Sequence, residues 1–213
     1  MTTYRHSPEP TTFWQQQERE LSLLDSRMAA LIERLGPCRL QPRHDSFLVL
    51  CQSIISQQLA SKAADCICNR FLAHYNGHPE PSGVLATPPE DLRSLGLSSR
   101  KVLYIRDLAE KILDGTVTPE HYAADGSSMT DSDIVKQLTA VKGIGIWTAE
   151  IFLMFALCRP DVFPVDDLGL RKGVQQLENL PELPDKTTMI KVSGQWSPYR
   201  TLAGWYLWQM LAK

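Results

Sequence analysis

Apolar side chains recur at three- and four-residue intervals along most of this chain, the period of a helix with one buried face. Leu21, Leu24, Met28, Leu31 and Leu35 predict a helix over 14–35. Phe47, Leu50, Cys51, Ile54 and Ile55 share one face of a second, and the run Ala60–Phe71 resumes the pattern after the polar "SQQ". "PPEDLRSLGLSSRKVLYIRDLAEKIL" reads as a short helix, a stop at Gly96, a cap at Ser98 or Ser99 and a longer helix through Leu113. Residues 115–128 read as a loop or short helix, and Thr130 or Asp131 can cap a helix through Ala140. Further helices are expected from about Ile146, over Leu168–Leu177, and from about Tyr199 to the end, with "PELPD" separating the last two. No segment alternates as a strand does, and there is no repeat or low-complexity tract. The fold class is all-α, with short Pro-, Gly- and Ser-bearing connections.

One stretch departs from simple amphipathic patterning. "LTAVKGIGIWTAEIFLMFALCRPDVFPVDDLGLRKG", residues 138–173, sets a Gly-x-Gly turn before an almost wholly apolar helix and an Asp pair after it. Gly143 and Gly145 permit positive φ and leave backbone N–H groups uncovered. The N-terminus of the next helix points its unpaired N–H groups at the same turn, which suits a phosphate oxygen, and Lys142 adds positive charge. The same spacing also fits an ordinary αα-corner. Of Asp166 and Asp167, one can be a helix N-cap and the other can compensate first-turn charge. Alternatively a carboxylate there faces substrate, where it can stabilise a developing sugar cation or orient a water.

Composition narrows the field. The 213 residues suffice for one large domain or two small ones, and 43% hydrophobic with 22% charged residues is ordinary for a globular protein. No apolar run reaches membrane-spanning length, and "MTTYRHSPEPTTFW" lacks the apolar core of a secretory leader. The five cysteines lack zinc or iron–sulfur spacing and read as reduced thiols. A net charge of −2 argues against nucleic-acid binding by bulk charge, but not by a local patch and backbone amides.

The 138–173 stretch resembles the signature of the helix-hairpin-helix–GPD superfamily of DNA base-excision glycosylases, a Gly-x-Gly hairpin followed some twenty residues later by an Asp. Two more stretches match its alkylated-base branch, the DNA-3-methyladenine glycosylase II type: "IISQQLASKAA" and "WSPYRTLAGWYLWQML". The resemblance covers residues from about 46 to 211; the first 40 carry little of it.

That resemblance implies one glycosylase domain over 1–213, with two helical subdomains and an active-site cleft between them. One would be a bundle over 46–160 carrying the hairpin, the other 1–45 plus 161–213. It implies a hairpin over Val141–Ile146 that grips DNA, with Lys142, Gly143, Ile144 and Gly145 as contacts. A monovalent cation, Na+ or K+, would sit on the main-chain carbonyls of Thr139, Val141 and Ile144. Asp167, twenty residues after Trp147, would be the catalytic carboxylate; other branches of the family would place it at Asp166, which is kept as a substrate contact. Trp147 stands where glycosylase/lyases carry a Schiff-base lysine, so a monofunctional hydrolase follows. Trp147 and Trp208 would be aromatic walls for the base, or else core residues. Gln58, then Leu59, would be the wedge that fills the gap left by a flipped base; otherwise "SQQLAS" is a polar junction with Leu59 in the core.

The expected activity is therefore hydrolytic removal of alkylated purines such as 3-methyladenine and 7-methylguanine from double-stranded DNA, leaving an abasic site. It needs no cofactor and no iron–sulfur cluster. The chain would act as a monomer, away from membranes, in the cytoplasm of a prokaryote or the nucleus of a eukaryote. Such bases carry positive charge, which the π-face of Trp attracts, and they leave without a dedicated general acid. The competing readings are a non-catalytic helix-hairpin-helix lesion-binding module and an oxidised-base glycosylase/lyase. The latter is opposed by Trp147 and by the absence of a four-cysteine cluster.

Overall fold

The computed structural model describes residues 12–122 and 129–212, whose regular structure is all helical, with no strand among them. Twelve α-helices follow in order among the described residues: α1 Gln15–Leu24, α2 Ser26–Leu35, α3 Ser46–Ser56, α4 Ser61–His74, α5 Pro81–Ala86, α6 Pro89–Ser94, α7 Ser99–Leu113, α8 Asp131–Thr139, α9 Ile146–Phe155, α10 Leu168–Leu177, α11 Lys186–Gly194 and α12 Arg200–Leu211. None is long and apolar enough to cross a membrane. Part of the 115–128 segment, residues 123–128, lies outside the described residues, as do residues 1–11; Pro119–His121 forms one 3-10 turn.

The expected helix over 14–35 is two helices. The apolar period runs on unbroken, but Asp25 is extended (φ −145°, ψ 114°) and caps α2, accepting the Arg27 amide at 2.9 Å. Trp196 Nε1 donates to the other oxygen of Asp25 at 3.0 Å, so a buried tertiary partner fixes the break. The segment after "PELPD" is also more than a linker, because Asp185 caps α11 through the Thr188 amide at 2.8 Å.

The helices group into two compact units, Arg43–Phe152 and 12–42 with 153–212. The second division falls inside α9. The first unit buries Leu50, Ile54, Phe71, Val84, Leu92, Ile105, Leu108, Ile134 and Phe152. Its central element is α7, packed against α3, α5 and α6. The second unit packs α12 against α1, α2 and α10 around Trp14, Met28, Leu170, Trp196 and Tyr206.

The C-terminal stretch "WSPYRTLAGWYLWQML" mostly fastens α12. Arg200 is forked onto Asp161 (2.7 and 3.0 Å). Thr201 accepts the Val162 amide at 3.1 Å, and the Tyr206 hydroxyl donates to Glu18.

Candidate functional site

In the first unit, α8 ends at Thr139 and the chain turns through 141–145 into α9. Val141 and Ile144 are buried and close the turn, with the Ile144 amide donating to the Val141 carbonyl at 3.1 Å. The two glycines differ. Gly143 has φ +83°, and a Cβ there would overlap the Tyr104 ring, so no other residue fits. Gly145 does not take positive φ, contrary to expectation, because one left-handed residue is enough to reverse the chain between α8 and α9. A Cβ on Gly145 would meet nothing within 4 Å.

Lys142 is committed to Asp107 at both ends. Its amide reaches Oδ2 at 2.8 Å and its ammonium Oδ1 at 3.1 Å. Lys111 adds a contact at 3.2 Å to the same carboxylate. Burial alone would push the Asp107 carboxyl up, but these bonds outweigh it and hold the group below the usual carboxylate range. Lys142 thus brings less positive potential to the turn than a solitary lysine would.

The α3–α4 junction carries the next group. Gln58 is exposed with φ +57°, and Leu59 is 39% exposed, so Leu59 is not a core residue. Gln57 Nε2 donates to the Gly143 carbonyl at 2.8 Å, which ties the junction to the hairpin. Lys101 Nζ donates to the carbonyls of Ile55 (2.7 Å) and Gln57 (2.9 Å). A shallow polar concavity here is lined by Gln57, Gln58, Arg100, Lys101, Tyr104 and Gly143.

At the start of α9, Ile146 is 63% and Trp147 47% exposed, whereas every residue over 151–159 is buried. Trp147 therefore has ring surface to offer a ligand, which a fully packed core residue would lack.

In the second unit, Asp167 is the N-cap of α10, and its Oδ1 accepts the Leu170 amide at 2.8 Å. Trp208 Nε1 donates to the same oxygen at 3.0 Å. Two donors on one oxygen fix the carboxylate rotamer. Trp208 is only 6% exposed, with its ring beside that of Phe155 at 5.2 Å. It presents little free face, and its indole N–H is spent on Asp167. Gly169 makes that approach possible, since a Cβ there would lie 2.7 Å from Trp208 Nε1 and 3.0 Å from Asp167 Oδ1. Asp166 points elsewhere. It is exposed and pairs with Lys186 at 2.9 Å.

Sequence reasoning overlooked Gln57, Lys101, Tyr104, Asp107, Gly169 and Lys186. The available signal was on α7, where Lys101, Tyr104, Asp107 and Lys111 repeat at three- and four-residue spacing. A polar stripe on a helix ordinarily means solvent; here it faces two loops.

Residues 51–198 match the sequence family described as HhH-GPD superfamily base excision DNA repair protein. DNA-3-methyladenine glycosylase 1 of Schizosaccharomyces pombe is 36% identical over 197 residues, spanning 90% of this chain and 85% of that protein. The solved structure of the S. pombe 3-methyladenine DNA glycosylase in complex with abasic DNA is similar with a TM-score of 0.80 at 34% identity, covering 93% of this chain and 97% of that one. The crystal structure of a DNA-3-methyladenine glycosidase from Bacillus halodurans gives 0.79 at 33% identity, covering 96% and 90%. With a family match over most of its length and a relative this similar across nearly all of both chains, the protein belongs to the HhH-GPD superfamily, among its alkylbase DNA glycosylases.

Proposed function

We propose that Asp167 is the carboxylate with which this glycosylase hydrolyses the N-glycosidic bond of cationic alkylated purines, 3-methyladenine and 7-methylguanine being the type. The C1′–N bond breaks and its electron pair leaves with the base, neutralising the base's positive charge. The sugar becomes cationic at C1′. A water adds there and loses a proton, and an abasic site remains. A fixed carboxylate stabilises the sugar cation without having to reorganise. The observation that carries this reading is the pair of donors, the Leu170 amide and the Trp208 indole, that lock Asp167 Oδ1 at the head of α10.

Trp147, half-exposed at the start of α9, supplies a π-face for the cationic base. With an indole there and no amine, the product is an abasic site with the strand intact. Gly143, Ile144 and Gly145 bring backbone to phosphate, and Gln58 enters the stack as the base leaves it, a transition that costs a few kcal/mol. The Val141 carbonyl takes the Ile144 amide with one lone pair, and a carbonyl has two. The turn therefore suits a weakly held monovalent cation on Thr139, Val141 and Ile144, which would shield phosphate charge and take no part in bond breaking.

The test is Asp167→Asn, because Asn caps helices as well as Asp and should preserve the fold. Single-turnover excision of 7-methylguanine should fall on the order of 10²–10³-fold, the scale for losing one preorganised electrostatic group. Binding to lesion DNA should hold within a few-fold. An Asp167→Asn protein that still excises at the wild-type rate overturns the assignment.

A further inference from the structure

Gln58 has a left-handed backbone without being glycine (φ +57°). Such conformations persist where the surroundings over-determine them. The surroundings here are specific. The carbonyls just before Gln58, those of Ile55 and Gln57, both accept from the Lys101 ammonium at 2.7 and 2.9 Å. The Gln57 side chain is spent on the Gly143 carbonyl at 2.8 Å. One turn further along α7, the Tyr104 ring lies against Gly143. Lys101 is half-buried, and burial pulls its ammonium below the usual lysine range. A cation placed against the C-terminal carbonyls of α3 also meets the negative end of that helix.

We infer that Lys101 is a positioning residue for base extrusion: by holding the last carbonyls of α3 it fixes the Gln57–Ala60 junction in the one conformation that presents Gln58 to the helix stack. It acts on the opening of the base pair and not on the bond-breaking step. The inference rests on the reading of Gln58 as the wedge.

The experiment compares two duplexes in single-turnover excision. In one, 7-methylguanine is paired with cytosine; in the other it faces an abasic residue, so no pair has to open. Lys101→Met should slow excision from the paired duplex about tenfold, the scale of losing hydrogen bonds to a charged group, and should stay within about twofold on the unpaired one. Lys101→Arg, which restores a cationic donor, should recover most of the loss. Equal losses on both duplexes, or no loss on either, overturn the inference. Should Lys101→Met not fold, Lys101→Gln carries the same comparison, with a smaller paired-duplex deficit expected and the same overturning results. Gln58→Ala separates this from the wedge reading. A paired-duplex loss in Gln58→Ala but not in Lys101→Met leaves the wedge and removes Lys101. The reverse pattern removes Gln58 as the wedge and overturns the inference that Lys101 acts by presenting it.

Discussion

The hairpin of the first unit and the carboxylate of the second are built by opposite means. At the hairpin the fold works through backbone: a glycine with no side chain lies on Tyr104, an amide goes to Asp107, and a carbonyl goes to Gln57. The side chains that follow it at the start of α9, Ile146 and Trp147, are left 63% and 47% exposed. At Asp167 the fold works through side chain, with an indole and a helix-cap bond converging on one oxygen. On the proposed function, the difference follows from what each part would meet. A phosphate backbone is alike at every nucleotide, so a shape made of peptide groups serves it. A developing charge at one carbon needs one atom in one place.

This contrast is broken most severely at Gly143. Gly143→Ala forces a Cβ into the Tyr104 ring at φ +83°, and should cost roughly 2–4 kcal/mol from the left-handed conformation and overpacking together. Gly145→Ala has open space around it and should change stability by no more than about 0.5 kcal/mol. On the proposed function its bare backbone approaches phosphate, so it should still weaken binding to damaged and undamaged DNA alike. Thermal unfolding and DNA titration of both variants measure this; a Gly145→Ala protein with wild-type affinity would show that only the fold needs the turn.

A finer change separates Asp167 from its support. Gly169→Ala adds a methyl 2.7 Å from Trp208 Nε1 and should drive the indole off Asp167. Alanine's helix propensity, better than glycine's by about 1 kcal/mol, offsets part of the strain, so the protein stays folded. Excision should drop about tenfold, the scale of one charge-assisted hydrogen bond, with lesion binding unchanged. Equal rates in wild type and Gly169→Ala would mean that Trp208 only packs.

The smallest effect is expected at Asp166. Its partner Lys186 is 63% and its own side chain 69% exposed, and such a pair contributes roughly 0–1 kcal/mol. Asp166→Asn should therefore melt within a few degrees of wild type and excise at a rate within about twofold. A loss comparable to that of Asp167→Asn would exchange the two aspartates' roles.

The features legible in the sequence are those carried by local rules. Helical period marks most helices, and a carboxylate just before an amphipathic run marks one of Asp166 and Asp167 as an N-cap, which the structure assigns to Asp167. What escaped depends on partners far along the chain. The break at Asp25 is held by Trp196, 171 residues away. The requirement for Gly169 exists only because Trp208 arrives beside it, and Lys101 is a surface lysine until α3 ends at its ammonium. Apolar period says which face is covered, but not whether a polar face meets water or a loop.

The polar face of α7 also limits how this sequence can drift. Lys101 serves the junction, while Tyr104 and Asp107 serve the hairpin, and all three depend on a shared rotational phase about one helix axis. A single residue inserted between Lys101 and Tyr104 would rotate one group about 100° relative to the other about the helix axis. Either loop could then keep its support, but not both. An insertion beyond Lys111 leaves the phase intact, so length changes are tolerated at that end of the helix and lethal to the pairing at the other.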